Sequence, residues 1–230
     1  MKAPLVILTI AIVYALFNRK NNNSGNMNVF LVGATGGLGG HVMRHLLAKG
    51  AIVTAYVRSP EKMGDVGDKV KVVKGDLASV TSATLDGADV IVACHSSGPT
   101  NERHKGYAAL VAAAKDSSTK RIVGVGGAGQ LLMEDGSKKQ SEEGWYPTLK
   151  PVTEDHEKGL EIVRSSGVDF TWVAPAYMPN DADSSGGYIA TNDKWNDVGV
   201  IPQIDVAEFV ADEALAPKHL GHVVALSGKQ

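Results

Sequence analysis

The stretch Val29-Phe-Leu-Val-Gly33-Ala-Thr-Gly36-Gly-Leu-Gly39-Gly-His-Val-Met-Arg-His-Leu-Leu-Ala-Lys-Gly50 decides the fold. Four apolar residues in a row, Val29 to Val32, read as a strand buried on both faces. A glycine turn follows, then a helical pattern from Gly39 to Lys49, closed by Gly50 where a left-handed cap is wanted. The glycines at 33, 36 and 39 carry a physical meaning in that setting. They permit positive backbone angles and a close approach of the main chain to a pyrophosphate, whose charge then rests on the unpaired amides and positive dipole of the helix start. Glycine spacing alone is a weak signal, but between a strand and a helix it points to a dinucleotide.

The same strand, turn and helix alternation repeats outward from this unit. Strands are expected at Val29–Val32, Ile52–Val57, Val70–Val73, Val90–Cys94, Ile122–Val125, Phe170–Val173 and Val223–Leu226. Helices are expected at Gly39–Lys49, Ser79–Leu85, Asn101–Asp116, Thr153–Ser166 and Asp205–Ala214. The pattern predicts an α/β fold, a Rossmann-type doubly wound parallel sheet with helices on both faces. Gly167 caps the fourth helix, and Asp205 can N-cap the last. Residues 130–152 and 176–203 lack a period and read as substrate loops above the carboxyl ends of the strands.

The end of the second strand bears on which nicotinamide cofactor fits. An acidic side chain there suits the ribose of NAD, an arginine the 2′-phosphate of NADP. The sequence is Ala55-Tyr-Val-Arg58-Ser59, with no carboxylate, so NADP is expected, with NAD the alternative. After the third strand, Gly75-Asp76-Leu77 offers either a carboxylate for the adenine amine or a plain turn aspartate.

Bulk properties fit a single soluble domain over residues 27–230: 43% hydrophobic, 21% charged, formal charge -2. That charge leaves no global basic surface, which sets nucleic-acid binding aside. The single cysteine, Cys94, excludes an internal disulfide and a zinc site of its own, and its apolar setting marks a buried structural thiol. Residues 1–26 stand apart. Ala3 to Phe17 is almost unbroken apolar sequence, too short for an ordinary spanning helix, and a polar Asn-rich linker follows. It reads as a leader or anchor, with membrane association through residues 3–17. The protein would then be membrane-anchored facing the cytosol, or organelle-targeted by a cleaved leader.

With the glycine loop, Arg58, Gly75-Asp76-Leu77 and Arg164-Ser-Ser-Gly167-Val-Asp-Phe-Thr-Trp-Val-Ala-Pro175 assembled, the chain resembles the atypical short-chain dehydrogenase/reductases. It is most similar to the NmrA-like NAD(P)H-binding group that includes biliverdin reductase B-type flavin reductases, and the likeness runs from Met27 onward. The resemblance implies cofactor contacts at Gly33, Thr35, Gly36, Gly37, Leu38, Gly39, Arg58, Asp76 and Leu77. It also puts the turn Cys94-His95-Ser96-Ser97-Gly98 beside the nicotinamide ribose, with His95 and Ser96 as contacts. Members with a full catalytic set carry a serine at the end of the fifth strand and a Tyr-x-x-x-Lys pair. Here the strand ends in Gly126-Gly127-Ala128, and the serine is missing.

A literal Tyr146-Pro-Thr-Leu-Lys150 occurs, but Pro147 and Pro151 argue against the continuous helix that would put Tyr146 and Lys150 on one face. His156 is a candidate proton donor or a solvent-facing helix residue. Tyr177, where flavin reductases of the group carry a histidine, stacks on a flat substrate, covers the nicotinamide or packs ordinarily. The leading expectation is an NADPH-dependent oxidoreductase passing hydride to a small quinone, flavin or carbonyl acceptor. The alternative is a non-catalytic NAD(P)-sensing regulator.

Overall fold

The apolar runs expected as strands lie side by side in one sheet. A computed structural model describes residues 27–229 except 67, 68, 97, 180, 181 and 196–198. The strands are β1 (Asn28–Val32), β2 (Ile52–Val57), β3 (Val70–Lys74), β4 (Val90–Ala93), β5 (Arg121–Val125), β6 (Asp169–Pro175), β7 (Tyr188–Asn192) and β8 (Val223–Gly228). Their spatial order is β3-β2-β1-β4-β5-β6-β8-β7. Every pairing is parallel except that of β7 with β8. β1 lies between β2 and β4, so successive crossovers leave it in opposite directions and open a crevice at the carboxyl ends of β1 and β4.

Four α-helices cover the sheet: α1 (Gly37–Ala48), α2 (Arg103–Lys115), α3 (Lys150–Arg164) and α4 (Gln203–Leu215). α1 packs with α4 on one face, α2 with α3 on the other. Val42 and Leu46 of α1 and Val206 and Val210 of α4 enter one core; Tyr107 and Leu110 of α2 and Leu160 and Val163 of α3 enter the second, around Trp172. Truncating a fully buried leucine such as Leu46 or Leu160 to alanine costs about 2–5 kcal/mol in such a setting. Gly50 and Gly167 take φ of +86° and +79°, the left-handed caps expected of them.

Several expectations are corrected. Ser79–Leu85 is not an α-helix. Two 3-10 turns, Leu77–Ser79 and Ser82–Leu85, are separated by extended backbone at Val80 and Thr81, and the second is opened by a Thr81–Thr84 capping box. Residues 176–203 are not wholly loop, since β7 adds an antiparallel edge strand there. α3 begins at Lys150 rather than Thr153, because Pro151 falls in the first turn, where its missing N–H costs nothing. Asp205 is not an N-cap. It lies in the first turn of α4 with its carboxylate buried against Ser184 and Ser185, accepting from the Ser185 amide at 2.7 Å.

The expected leader, residues 1–26, lies outside the described residues. Among those described, no helix is long and apolar enough to cross a membrane.

Candidate functional site

The crevice at the switch point is a cleft of about 590 Å³. Its floor is the turn between β1 and α1. Gly33 takes φ +86°, and a Cβ there would sit 2.5 Å from the Cys94 carbonyl oxygen, so only glycine lets the β1 and β4 turns touch. Gly36 donates its N–H to the Gly33 carbonyl at 2.9 Å and caps α1 with no side-chain hydrogen bond and no acidic residue in the first turn. The first amides of α1 are thus left for an external anion. A Cβ on Gly39 would lie 2.1 Å from the Gly33 carbonyl oxygen, so this glycine holds the turn against the helix.

The expected contacts separate into two sets. Gly33, Thr35, Gly36, Arg58, Asp76, Leu77, Cys94, His95 and Ser96 line the cleft. Gly37, Leu38 and Gly39 do not. Gly37 faces Gln203 of α4, Leu38 packs on the core, and Gly39 braces the turn. Ser97 lies outside the described residues. Exposed Arg58 follows β2 at the rim, with no carboxylate within ion-pair distance among the described residues. The Asp76 carboxylate accepts from the Ala78 amide through one oxygen, at 3.0 Å. Beside it the Tyr56 hydroxyl donates to the Asp76 carbonyl at 3.0 Å, and a Cβ on Gly75 would strike that hydroxyl at 2.1 Å. Burial pushes the Cys94 thiol up to about 12, leaving it inert.

The other wall comes from α2. His95 Nε2 lies 3.0 Å from the Arg103 carbonyl, an acceptor, so this nitrogen carries the ring proton. Burial lowers the His95 pKa. The start of α2 is held by a residue of α3. Asp155, buried, accepts from the Arg103 amide at 2.9 Å, the His104 amide at 3.2 Å and His104 Nδ1 at 2.5 Å. Burial works to raise its pKa, but the His104 ring and these two amides prevail and hold it below the usual carboxylate range.

The proton-transfer candidates are dispersed. Tyr146 is 63% exposed, packs edge-on to Trp145, and precedes a 3-10 turn, while Lys150 opens α3 and faces Glu154. Neither lines the cleft, nor does Tyr177, which is 70% exposed just past β6. The solvent-facing reading of His156 is overturned: it is buried, with Nε2 against the Arg103 guanidinium, and burial followed by that cation lowers its pKa to about 3. The neutral ring therefore carries its proton on Nδ1, sealed without a partner against Gly127.

The missing serine has a steric cause. A Cβ at Gly126 would lie 2.2 Å from Trp172 Nε1, and one at Gly127 3.0 Å from His156 Nδ1. The indole and imidazole occupy the space a side chain on the β5 tip would need. Arg103 was not anticipated, because the run Asn101-Glu-Arg-His-Lys105 reads as an ordinary charged helix start.

The uncapped amides, the glycine cradle and the elongated cleft fit a dinucleotide. The comparisons agree. The chain belongs to the NAD(P)H-binding family, whose sequence profile matches residues 33–217. This agrees with the expected likeness to an NAD(P)H-binding group. It is 24% identical over 205 residues to the uncharacterized protein YwnB of Bacillus subtilis strain 168, covering 84% of this chain and 94% of that one. Among solved structures, a Streptococcus pneumoniae TIGR4 protein provisionally named an NADH-flavin reductase superposes with a TM-score of 0.80 at 23% identity, over 88% of this chain and all of that one. A Bacteroides thetaiotaomicron protein provisionally named an epimerase gives 0.78 at 25% identity, over 89% and 98%.

The localisation expectation, anchored in a membrane or sent to an organelle, is corrected. Both solved proteins match the chain as this one α/β domain, and no helix described in it can cross a membrane.

Proposed function

We propose that this protein is an NADPH-dependent reductase delivering hydride to a small planar acceptor, a quinone or flavin, with carbonyl compounds as poorer acceptors. The observation that carries the choice is the β5 tip, where Trp172 and His156 stand in the place of a proton-donating side chain. A bound nicotinamide would supply the hydride. The chain's own residues then bind and orient: the α1 amides take the pyrophosphate, Gly33 and Gly36 let it approach, and Arg58 takes the 2′-phosphate. Quinones and flavins suit such a site, since their reduced forms collect protons from solvent. Epimerase chemistry on a sugar would need a working Tyr-Lys pair, and Tyr146 and Lys150 stand outside the cleft.

The same depleted acid–base set favours, as a second reading, a sensor whose NAD(P) occupancy governs a partner. NADPH oxidation measured with quinones, flavins and aldehydes separates the two. Turnover with quinones or flavins above that with aldehydes supports the reductase; tight NADPH binding with no turnover on any acceptor leaves only the sensor.

A further inference from the structure

Arg103 is the cation of the cleft with the least explained surroundings. It opens α2 and lines the cleft wall, half-buried. Its Nε is sealed from solvent with no acceptor, and its terminal nitrogen rests on His156 Nε2. The Asp155 carboxylate makes no ion pair with it; its two oxygens accept from the Arg103 and His104 amides and the His104 ring instead. No carboxylate among the described residues lies within 4.0 Å of the guanidinium; Glu102 beside it pairs with Lys105. A partly buried guanidinium whose contact is a neutral imidazole has given up water without gaining a direct anionic partner, a place that a ligand anion can take.

The place of Arg103 narrows what that ligand is. The pyrophosphate and 2′-phosphate of a dinucleotide are already provided for by the α1 amides and by Arg58, on β1–α1 and β2. Arg103 stands on the opposite wall, drawn toward the β5 tip through His156, whose other nitrogen lies against Gly127. A guanidinium there offers a charge-assisted donor to a phosphate oxygen. We infer that Arg103 is the specificity residue of the acceptor site and recognises a phosphate carried by a planar acceptor, with His156 as the positioning residue that aims the guanidinium. This rests on the reductase reading for the word acceptor, although the binding it asserts can be measured without turnover.

The test uses the full chain saturated with NADP⁺ and two probes that differ by one phosphate, FMN and riboflavin, followed by flavin fluorescence quenching. Wild type is expected to bind FMN about tenfold or more tightly than riboflavin, the size of one charge-assisted contact. Arg103→Met should erase that ratio while leaving riboflavin and NADP⁺ affinities within about twofold, and Arg103→Lys should restore part of it. His156→Phe should reduce the ratio while leaving Arg103 in place.

Three results overturn the inference: a wild type that does not discriminate between the probes, an Arg103→Met variant that keeps the discrimination, or a parallel loss of NADP⁺ affinity, which would assign Arg103 to the cofactor. Because a misfolded variant would lose NADP⁺ and both flavins together, Arg103→Lys, with charge and stem kept, serves as the folded control. NADPH oxidation by wild type is scored separately. Phosphate-dependent FMN binding without turnover would sink the reductase and leave the Arg103 site standing.

Discussion

Gly126→Ala is the sharpest perturbation of the β5 tip. The added Cβ would lie 2.2, 2.6 and 2.8 Å from Nε1, Cε2 and Cζ2 of Trp172. Non-bonded heavy atoms settle at about 3.5–4.0 Å, so the indole would have to retreat by roughly an ångström or more. It has nowhere to go. Trp172 is fully buried, its ring lies 4.8 Å from that of Tyr107, and the Tyr107 hydroxyl is fixed by the Val125 amide at 2.9 Å and carbonyl at 3.0 Å. Overpacking of this kind costs about 1–3 kcal/mol, and a three-atom clash against a fixed ring belongs at the upper end. For a domain of this size about 3 kcal/mol lowers Tm by roughly 6–12 °C. Urea unfolding of Gly126→Ala, Trp172→Leu and the double variant forms the assay. The double variant should be less destabilised than the sum of the singles by at least about 1 kcal/mol, since the smaller side chain makes room for the methyl. A Gly126→Ala cost under about 0.5 kcal/mol, or strict additivity, would refute the steric explanation for the missing serine.

Three further outcomes concern the polar residues behind the cleft. Asp155→Ala leaves two amides at the start of α2 without their acceptor and should cost about 2–4 kcal/mol by urea unfolding. Because the folded Asp155 carboxyl is held below its ordinary value, its contribution is present above that value and lost as pH falls through the folded one. Asp155→Asn should therefore flatten the acid limb of a stability profile below about pH 4. His156 acts over a higher window: it titrates near 6.5 when unfolded and at about 3 when folded, so the unfolded chain binds the extra proton in between. Stability should drain away as pH drops below about 6.5, by about 1.4 kcal/mol per pH unit for one proton, and His156→Gln should remove that share of the slope. An unchanged slope in the variant would mean that the buried imidazole protonates in place.

The parts legible in the sequence are those governed by local pattern. The apolar runs of β1, β4 and β5 are buried on both faces and so are continuous, and the glycine turn between β1 and α1 identifies itself by position. β7 was missed because Tyr188-Ile-Ala-Thr-Asn192 is short, half-buried and defined by antiparallel pairing with residues more than thirty positions on. The Ser79–Leu85 helix failed because Thr81 and Thr84 bond each other and restart the chain as a second 3-10 turn. The site divides in the same way. Arg58, Asp76 and His95 follow strand ends and were readable from them. The burial of His156 depends on Gly127, far back along the chain, and on Arg103, farther back still, which no local spacing encodes. Asp205 likewise looks like a cap in sequence and becomes a buried anchor for Ser184 and Ser185 through tertiary contact.

The central claim, a nicotinamide dinucleotide in the β1–β4 crevice with Arg58 on its 2′-phosphate, is tested most directly by calorimetric titration of wild type and Arg58→Glu with NADPH and NADH. Wild type should bind NADPH about tenfold or more tightly than NADH, as one charge-assisted contact to phosphate provides, and Arg58→Glu should abolish or reverse that preference while still binding NADH. Failure of wild type to bind either cofactor, or equal binding that Arg58→Glu leaves unchanged, would contradict it.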